Sequence, residues 1–444
     1  MVAALDIALI AIYFIAIAIV GYLSSRKESS QDYLIASKKL GVGANIATLS
    51  ATKVTASIII TYVALVYVFG VSAIWAFIGT GIGYLLFLLF AMKLKREGDA
   101  HNYYSIADYF YTRYGKKTGM TVSIITLCIL FLNFTLQLIG GAMIVKNLIG
   151  LPFVTGVLIC GLIITFYLYI GGFKAVVKTD VVQAIAIIGL FVILGVFLFK
   201  NFVYNPAQWK ILSAGPARVI PFLIVGVLWP FSAPDLWQRV LAAKSVKTLK
   251  KSFLWTTAIY ITFGVLLTLI AIIIKLKLPA IEADAALVQG FIHLLPSGLL
   301  GAGLVALFAA IMSSADSFAF VCAGLLIHDI LKKEKIAKTL RTGVIIIMVL
   351  GMLAASFFQS ILDASYLFAA IYMSLSVIII ATWIKKAINQ TLIVTGLITG
   401  LIFTIIFSAL VGISPMLIVV GIGGTLLGLL LGGVYHWTSL RKAF

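Results

Sequence analysis

SATKVTAS, residues 50–57, interrupts a long apolar stretch with hydroxyl groups and a lysine. Hydrocarbon offers no water to satisfy such polar groups, and the segment has no proline that would explain it as a simple kink. A second apolar stretch, 217–236, carries Gly226, Pro230 and Pro234, and each proline frees a carbonyl four residues earlier. Because exposed backbone at membrane depth must line protein or a cavity, we predict that both stretches form broken helices.

The composition around these stretches is that of a polytopic membrane protein. Hydrophobic residues make up 63% of the 444 residues and charged residues 11%. We predict an all-α protein that forms one transmembrane domain, 1–444, in which the first span is a permanent helix and not a signal peptide. About thirteen spans are predicted, at 4–24, 43–70, 71–92, 118–145, 151–170, 179–199, 217–236, 252–274, 298–328, 342–358, 361–384, 391–411 and 415–437.

The net charge of +19 reports topology. Most of the basic residues fall in alternate loops, and the positive-inside rule then places the N-terminus outside and the C-terminus inside the cell. This pattern gives no support to nucleic-acid binding, and the lipid bilayer is the predicted surrounding. We also predict an amphipathic interfacial segment at 101–114 and an outer helix at 281–296, over the entrance of a site.

The two interrupted stretches lie an odd number of spans apart, so they cross the membrane in opposite directions. Broken helices at corresponding places in two halves are typical of inverted-repeat secondary transporters, whose site lies at the midplane. We therefore predict core repeats at roughly 43–199 and 217–384. The spans 4–24, 391–411 and 415–437 would be peripheral.

AAIMSSADS, residues 309–317, is the segment with the clearest chemistry. On a helix, one face carries four of its residues, Ala310, Ser313, Ser314 and Ser317. Asp316 lies beside that face and needs a partner, an ion or a proton in an apolar interior. Small oxygen ligands next to a carboxylate favour a bound monovalent cation, whereas serines bonded back to their own helix would bind nothing.

Motifs of other function classes are missing from the sequence. The three cysteines lie in apolar spans without metal-ligand spacing, and the four histidines form no HExxH pattern. There is no Walker A loop and no GxSxG motif. We therefore expect neither an enzyme nor an ATP-driven pump, and no cofactor beyond a coupling ion.

Five further pieces of sequence, taken in order, are similar to one known family. They are DYLIASKKLG (32–41), SIADYFYTRYG (105–115), GGFKAVVKTDVVQ (171–183), WQRVLAAK (237–244) and MSSADS (312–317) followed by HDIL (328–331). Their order and spacing resemble the sodium:solute symporter family over nearly the whole chain. The resemblance implies a LeuT-like core of ten helices, one helix before it and two after it, and transport by alternating access.

The resemblance also implies ion ligands. A sodium ion would lie between the broken span 2 and span 9, held by the carbonyls of Ala51, Val54 and Ala310 and the hydroxyls of Ser313 and Ser314. Such an oxygen set suits a hard cation. A second ion or proton site, as in some relatives, would use Asp180, Ser313, Asp316 and Ser317.

Lys53 departs from this pattern, because it lies beside the implied sodium ligands. Its ammonium could replace sodium as a tethered cation, exchange a proton with Asp316 or Asp180, or anchor an anionic substrate. A plain buried salt bridge is the fourth interpretation. The coupling ion, Na⁺ or H⁺, is therefore left open by the sequence.

The predicted function is a cation-coupled secondary transporter in the plasma membrane. A proton-coupled or uncoupled transporter, and a solute sensor on the same fold, are the alternatives. Spans 2, 3 and 7 offer no Gln, Glu or Asn at mid-depth for a sugar, so an organic acid or amino acid is the expected solute. Candidate cavity residues are Thr52, Thr55, Tyr62, Trp75, Trp229, Ser232, Ser365, Tyr366 and Tyr372.

Overall fold

The computed structural model describes residues 3–24, 40–51, 55–103, 105–202, 206–331, 337–358, 360–384 and 388–442. Fifteen α-helices lie in these ranges. They are α1 Ala4–Ser24, α2 Val42–Ala51, α3 Ala56–Phe69, α4 Trp75–Ala100, α5 Ile106–Ile149, α6 Phe153–Asn201, α7 Pro216–Ser232, α8 Pro234–Ala242, α9 Val246–Lys277, α10 Ala286–Leu294, α11 Leu299–Leu325, α12 Ala337–Phe358, α13 Ile361–Ile384, α14 Gln390–Leu410 and α15 Met416–Lys442.

The apolar helices of the described residues confirm a polytopic all-α fold. Eight helical segments are long and apolar enough to cross a membrane, or nine when the bent pair α7–α8 counts as one span. Three shorter apolar helices, 4–20, 153–166 and 185–201, add to these. The number of about thirteen spans and the N-out, C-in orientation stay predictions.

Helical backbone is continuous along α6, where the sequence predicts two spans. A straight helix of 49 residues would be about 73 Å long. Both ends of α6, however, lie near the short helix α10. At the first end, Gly156 packs against Ala142 of α5, and Asn147 of α5 is hydrogen-bonded to Gln289 of α10. At the other end, Asn201 donates to the Leu294 carbonyl of α10. The two ends of α6 therefore lie closer together than a straight helix allows, and two antiparallel spans in this region stay a prediction.

Glycines allow α4 and α7 to pack backbone against backbone. A Cβ atom on Gly79 would lie 2.5 Å from the Leu223 carbonyl oxygen, and one on Gly226 would clash with the Ala76 carbonyl oxygen. Such close approach through small residues is a common way to join transmembrane helices. It fixes the first part of α7, which leads to the second helix break.

Capping contacts set where several helices begin. The Asp6 carboxylate of α1 accepts hydrogen bonds of 2.8 Å from the Gly298 and Gly301 amides at the start of α11. Ser105 and Asp108 form a capping box at the start of α5, and Gly115 kinks that helix with φ of 80°. The predicted interfacial segment is thus helical from Ile106 up to this kink. The helix predicted at 281–296 is present, as α10 with a short 3-10 turn before it, whereas its position on the outer side stays a prediction.

Candidate functional site: two helix breaks and the middle of α11

The first break lies where the sequence predicts it. Helix α2 ends at Ala51 and α3 begins at Ala56. Thr55 between them has extended backbone, with φ of −89° and ψ of 145°, and its side chain accepts a hydrogen bond from the Ile58 amide. Residues 52–54, which include Thr52, Lys53 and Val54, lie outside the described residues.

The helix ends at this break carry opposite partial charges. The last carbonyls of α2 have no intrahelical donors and form the negative end of that helix. The first amides of α3 form the positive end of the next one. The break can therefore attract a cation to its α2 side and an anionic group to its α3 side.

The middle of α11 lies beside the start of α3. A Cβ atom placed on Gly140 of α5 would be 3.4 Å from Ile60 of α3 and 3.7 Å from Ile311 of α11, so these two side chains meet over Gly140. Ser313 and Ser314 follow Ile311 and are half-buried, while Asp316 is fully buried. The serine face and the break thus belong to the same part of the core.

The other implied ion ligands are placed only in part. Ala310 is buried in α11 and Ser317 is half-buried one turn beyond Ser313. Asp180 lies on the α6 backbone, but its side chain is outside the described residues. The expected approach of Asp180, Asp316 and Lys53 to one another therefore stays a prediction.

The sequence analysis missed two residues that lie near Asp316. Tyr13, from the peripheral helix α1, has its hydroxyl 3.6 Å from the Met312 sulfur and is close to Asp316. The Gln183 side chain of α6 is fully buried and lies near the Tyr13 hydroxyl. A polar side chain in each of two apolar spans was the available signal. Helix α1 therefore contributes directly to the surroundings of this carboxylate.

The second break is at Ala233, and the axes of α7 and α8 meet at 48°. The prediction from Pro234 is confirmed, but Pro230 and Gly226 lie inside α7 and do not break it. The indole of Trp237, a fully buried residue, donates a 2.6 Å hydrogen bond to the Phe231 carbonyl. The hydroxyl of Ser376 lies 2.8 Å from the Leu228 carbonyl. Side chains of the protein thus satisfy carbonyls next to this break.

An aromatic and polar cluster lies beside the second break. Trp229 stacks on Tyr372, with ring centroids 6.0 Å apart, and Asn133 of α5 donates to the Tyr372 hydroxyl at 3.2 Å. The hydroxyls of Ser232 and Ser376 are 2.7 Å apart. Trp229, Ser232 and Tyr372 were predicted cavity residues, whereas Asn133 and Ser376 were missed. Asn133 of α5 thus supplies a side-chain amide in the middle of a span, which spans 2, 3 and 7 do not offer.

Other predicted cavity residues make contacts elsewhere. The Tyr62 hydroxyl bonds Thr268 of α9 at 2.7 Å, and the Trp75 indole donates to the Ile211 carbonyl at 2.9 Å. The Ser365 hydroxyl donates to the Leu362 carbonyl within α13. Tyr366 is buried in the same helix. These contacts do not bring the four residues into the Trp229–Tyr372 cluster, and their role in a cavity stays a prediction.

The segment that precedes α10 joins α3 to α13. The Tyr67 hydroxyl of α3 accepts a hydrogen bond from the Ile281 amide, and Asp284 accepts one of 3.2 Å from the Ile361 amide at the start of α13. Burial raises the pKa of the Asp284 carboxyl above its usual range, and hydrogen bonds from Ser360 and Ile361 offset part of that rise. This segment contacts the C-terminal end of α3 and the N-terminal end of α13.

Within the ranges that the structure describes, no group of three or more His, Cys, Asp or Glu side chains could hold a metal ion. What the geometry does present is a pair of broken helices, a buried carboxylate and a row of hydroxyls inside a helical bundle. These features are typical of secondary transporters.

Comparison with known proteins gives the family. The model of the sodium:solute symporter family matches residues 33–400, and the chain belongs to this family. The osmoregulated proline transporter OpuE of Bacillus subtilis (strain 168) is 25% identical over an alignment of 347 residues, and the match covers 72% of this chain and 69% of the relative. The sodium/proline symporter of Staphylococcus aureus (strain Newman) is 25% identical over an alignment of 364 residues, and the match covers 74% of this chain and 70% of the relative.

Solved structures show the same fold. A Na⁺-coupled sialic acid symporter in a substrate-bound outward-open state aligns with a TM-score of 0.74 and 17% identity, over 97% of this chain and 98% of that one. A nucleobase-cation-symport-1 family transporter with bromovinylhydantoin bound aligns with a TM-score of 0.62 and 13% identity, over 90% and 94%. The protein is thus a multi-pass plasma-membrane transporter with a LeuT-like fold, and not an enzyme.

Proposed function

We propose that this protein couples the movement of a small carboxylate-bearing solute, an amino acid or an organic acid, to a sodium ion. The observation that carries the proposal is the interruption between Ala51 and Ala56. Ile60 of α3 and Ile311 of α11 both lie over Gly140, which supports a position of this interruption near the hydroxyl face of α11. Membership of the sodium:solute symporter family supports sodium as the coupling ion.

The sodium ion would bind at the α2 side of the first break. The carbonyls of Ala51, Val54 and Ala310 and the hydroxyls of Ser313 and Ser314 would supply its oxygen ligands. The negative end of α2 favours a cation there. Asp316, two residues beyond Ser314 and fully buried, adds a carboxylate to the same part of α11. With Asp180 and Ser317 it would hold a second ion or a proton.

The solute would bind between the two breaks. The amides at the start of α3 suit a carboxylate, because the first amides of a helix have no intrahelical acceptor. Trp229, Tyr372 and Asn133 would contact the rest of the solute from α7, α13 and α5. Two relatives named as proline transporters support a compact amino acid as the first solute to test.

The opposite charges of the sodium ion and the solute carboxylate would couple the binding of one to the binding of the other. A cation at the end of α2 and a carboxylate at the start of α3 would attract one another across the same break. Each ligand would then raise the affinity for the other, and by linkage the two factors are equal. When both ligands are bound, the protein would favour the conformation that closes over them.

Uptake into proteoliposomes tests this proposal. The radiolabelled solutes to test are a panel of amino acids, organic acids and sugars. An inward Na⁺ gradient at equal pH on both sides should drive accumulation of proline or of another amino acid or organic acid in this panel. Accumulation of a sugar alone would contradict the solute class. Accumulation that ignores the Na⁺ gradient would contradict the coupling ion.

Proton coupling is the second candidate, because the sequence places Lys53 inside the first break. An ammonium near the ligand oxygens would compete with Na⁺, and desolvation would make it a proton donor. In that case uptake should follow an imposed pH gradient and persist when choline replaces sodium. Lys53→Ala should then abolish the response to the pH gradient.

A further inference from the structure

An apolar groove opens to the lipid side of the molecule between α1, α6 and α12. Its volume is about 820 Å³, and its lining includes Ala18 of α1, Leu162 and Phe166 of α6 and Ile345 of α12. Leu162 and Phe166 are each 59% exposed. The groove lies away from both helix breaks and from the cluster around Trp229, so the transport mechanism proposed above does not use it.

One end of the groove carries a cation. The aromatic ring of Tyr169 lines the groove, and the guanidinium carbon of Arg341 lies 5.7 Å from the centre of that ring. Arg341 is one helical turn before Ile345 on α12, and Lys338 precedes Arg341 by three residues, so all three share a face. Both basic side chains are exposed, and among the described residues neither forms an ion pair.

We propose that this groove, closed at one end by Arg341, binds an anionic glycerophospholipid. An acyl chain fits the apolar lining, but it gains little there because the bilayer offers it an equally apolar surrounding. Preference for one lipid must therefore come from the headgroup. A phosphodiester with net negative charge at Arg341 and Lys338 provides it, and each basic residue near the membrane surface raises the affinity for anionic lipid about five-fold.

A second copy of this chain is a poorer occupant. A twofold contact through the groove would bring the Arg341 and Lys338 side chains of two copies toward one another without a compensating acidic group on the groove lining. An anionic lipid instead neutralises these charges. The apolar lining and the cation at its end thus both favour one lipid molecule.

Native mass spectrometry of the purified full-length protein, titrated with dioleoyl phosphatidylglycerol or dioleoyl phosphatidylcholine, tests the proposal. We expect phosphatidylglycerol to bind about five-fold tighter or more, and Arg341→Gln to remove about five-fold of that preference. Lys250→Gln is the matched control, because it removes an exposed positive charge from the start of α9, away from the groove. Ala18→Phe keeps all charges and fills the groove.

Equal affinity for the two lipids would overturn the proposal, and so would equal effects of Arg341→Gln and Lys250→Gln. Loss of lipid binding by Ala18→Phe, with an unchanged melting temperature, would support the groove as the binding site of the lipid acyl chain. If Ala18→Phe binds both lipids as the unaltered protein does, the groove assignment is wrong. Detection of a dimer that phosphatidylglycerol does not displace would assign the groove to a second copy instead.

Discussion

The two helix breaks of this transporter are maintained by different means. At the α7–α8 break, Pro234 cannot donate an amide, and Trp237 donates to the Phe231 carbonyl. At the α2–α3 break the sequence has no proline, and Thr55 caps the second half-helix. The first kind of break is fixed by the covalent chain and its own side chains. Because no proline fixes the second kind, we expect ion binding there and not at α7–α8.

Removing hydroxyls from α11 should have the largest effect. Ser313→Ala and Ser314→Ala should each lower the apparent sodium affinity of uptake about 10- to 100-fold, since hydrogen-bonding and ligand contacts to charged groups are worth about 1.5–3 kcal/mol. The sodium dependence of proteoliposome uptake measures this. Ser356→Ala is the control, because that hydroxyl donates to the Met352 carbonyl of α12. Unchanged sodium dependence in both α11 variants would remove the serines from the site.

Trp237→Phe, at the α7–α8 break, should lower the stability of the protein. The Phe231 carbonyl would lose its donor in a fully buried place, which costs about 1–3 kcal/mol. The melting temperature in detergent should fall, while the sodium affinity of the surviving protein stays close to that of the unaltered one. Trp255→Phe, at a residue that is 63% exposed, should change neither. A selective loss of sodium affinity in Trp237→Phe would break the comparison.

Tyr13→Phe sharpens the comparison on the α11 side. The variant keeps the ring of α1 and removes the hydroxyl beside Met312, Gln183 and Asp316. We expect sodium or proton affinity to change about two- to five-fold, which corresponds to one neutral hydrogen bond. Tyr111→Phe is matched to it, because the Tyr111 hydroxyl also lies near a methionine sulfur, that of Met120. Equal behaviour of the two variants would show that α1 plays no part in the ion site.

The smallest effect concerns the segment that contacts α3 and α13. Since burial raises the pKa of Asp284, the folded state favours its protonated form. Its contribution to stability is therefore present at low pH and lost as pH rises through the folded-state pKa. Asp284→Asn should flatten this part of the pH–stability curve in thermal melts. Glu282→Gln removes a neighbouring charge that adds to the rise in the Asp284 pKa, so it should shift this part of the curve to lower pH.

The difference between the breaks also explains what the sequence could predict. Polar residues and prolines inside apolar runs indicate broken helices, and both breaks were predicted. Pro230 was wrongly included because its freed carbonyl, that of Gly226, packs against Gly83 of α4 and the helix continues. That close approach depends on glycines of another helix, which no pattern within span 7 reveals.

Single residues from distant helices could not be predicted either. Tyr13, Asn133 and Ser376 belong to none of the motifs in the sequence, and only the packing of α1, α5 and α13 brings them to the site. The family motifs, in contrast, indicated the correct fold because their order along the chain is preserved. Sequence therefore predicts the elements of this site better than it predicts their neighbours.

Initial uptake at fixed pH, with external Na⁺ replaced by choline, tests the central claim most directly. The account predicts that replacement removes nearly all gradient-driven uptake by the unaltered protein. It also predicts that the double variant Ser313→Ala, Ser314→Ala shows the same low uptake in both media, whereas Ser356→Ala behaves like the unaltered protein. Undiminished uptake in choline would contradict a sodium site at the α2–α3 break.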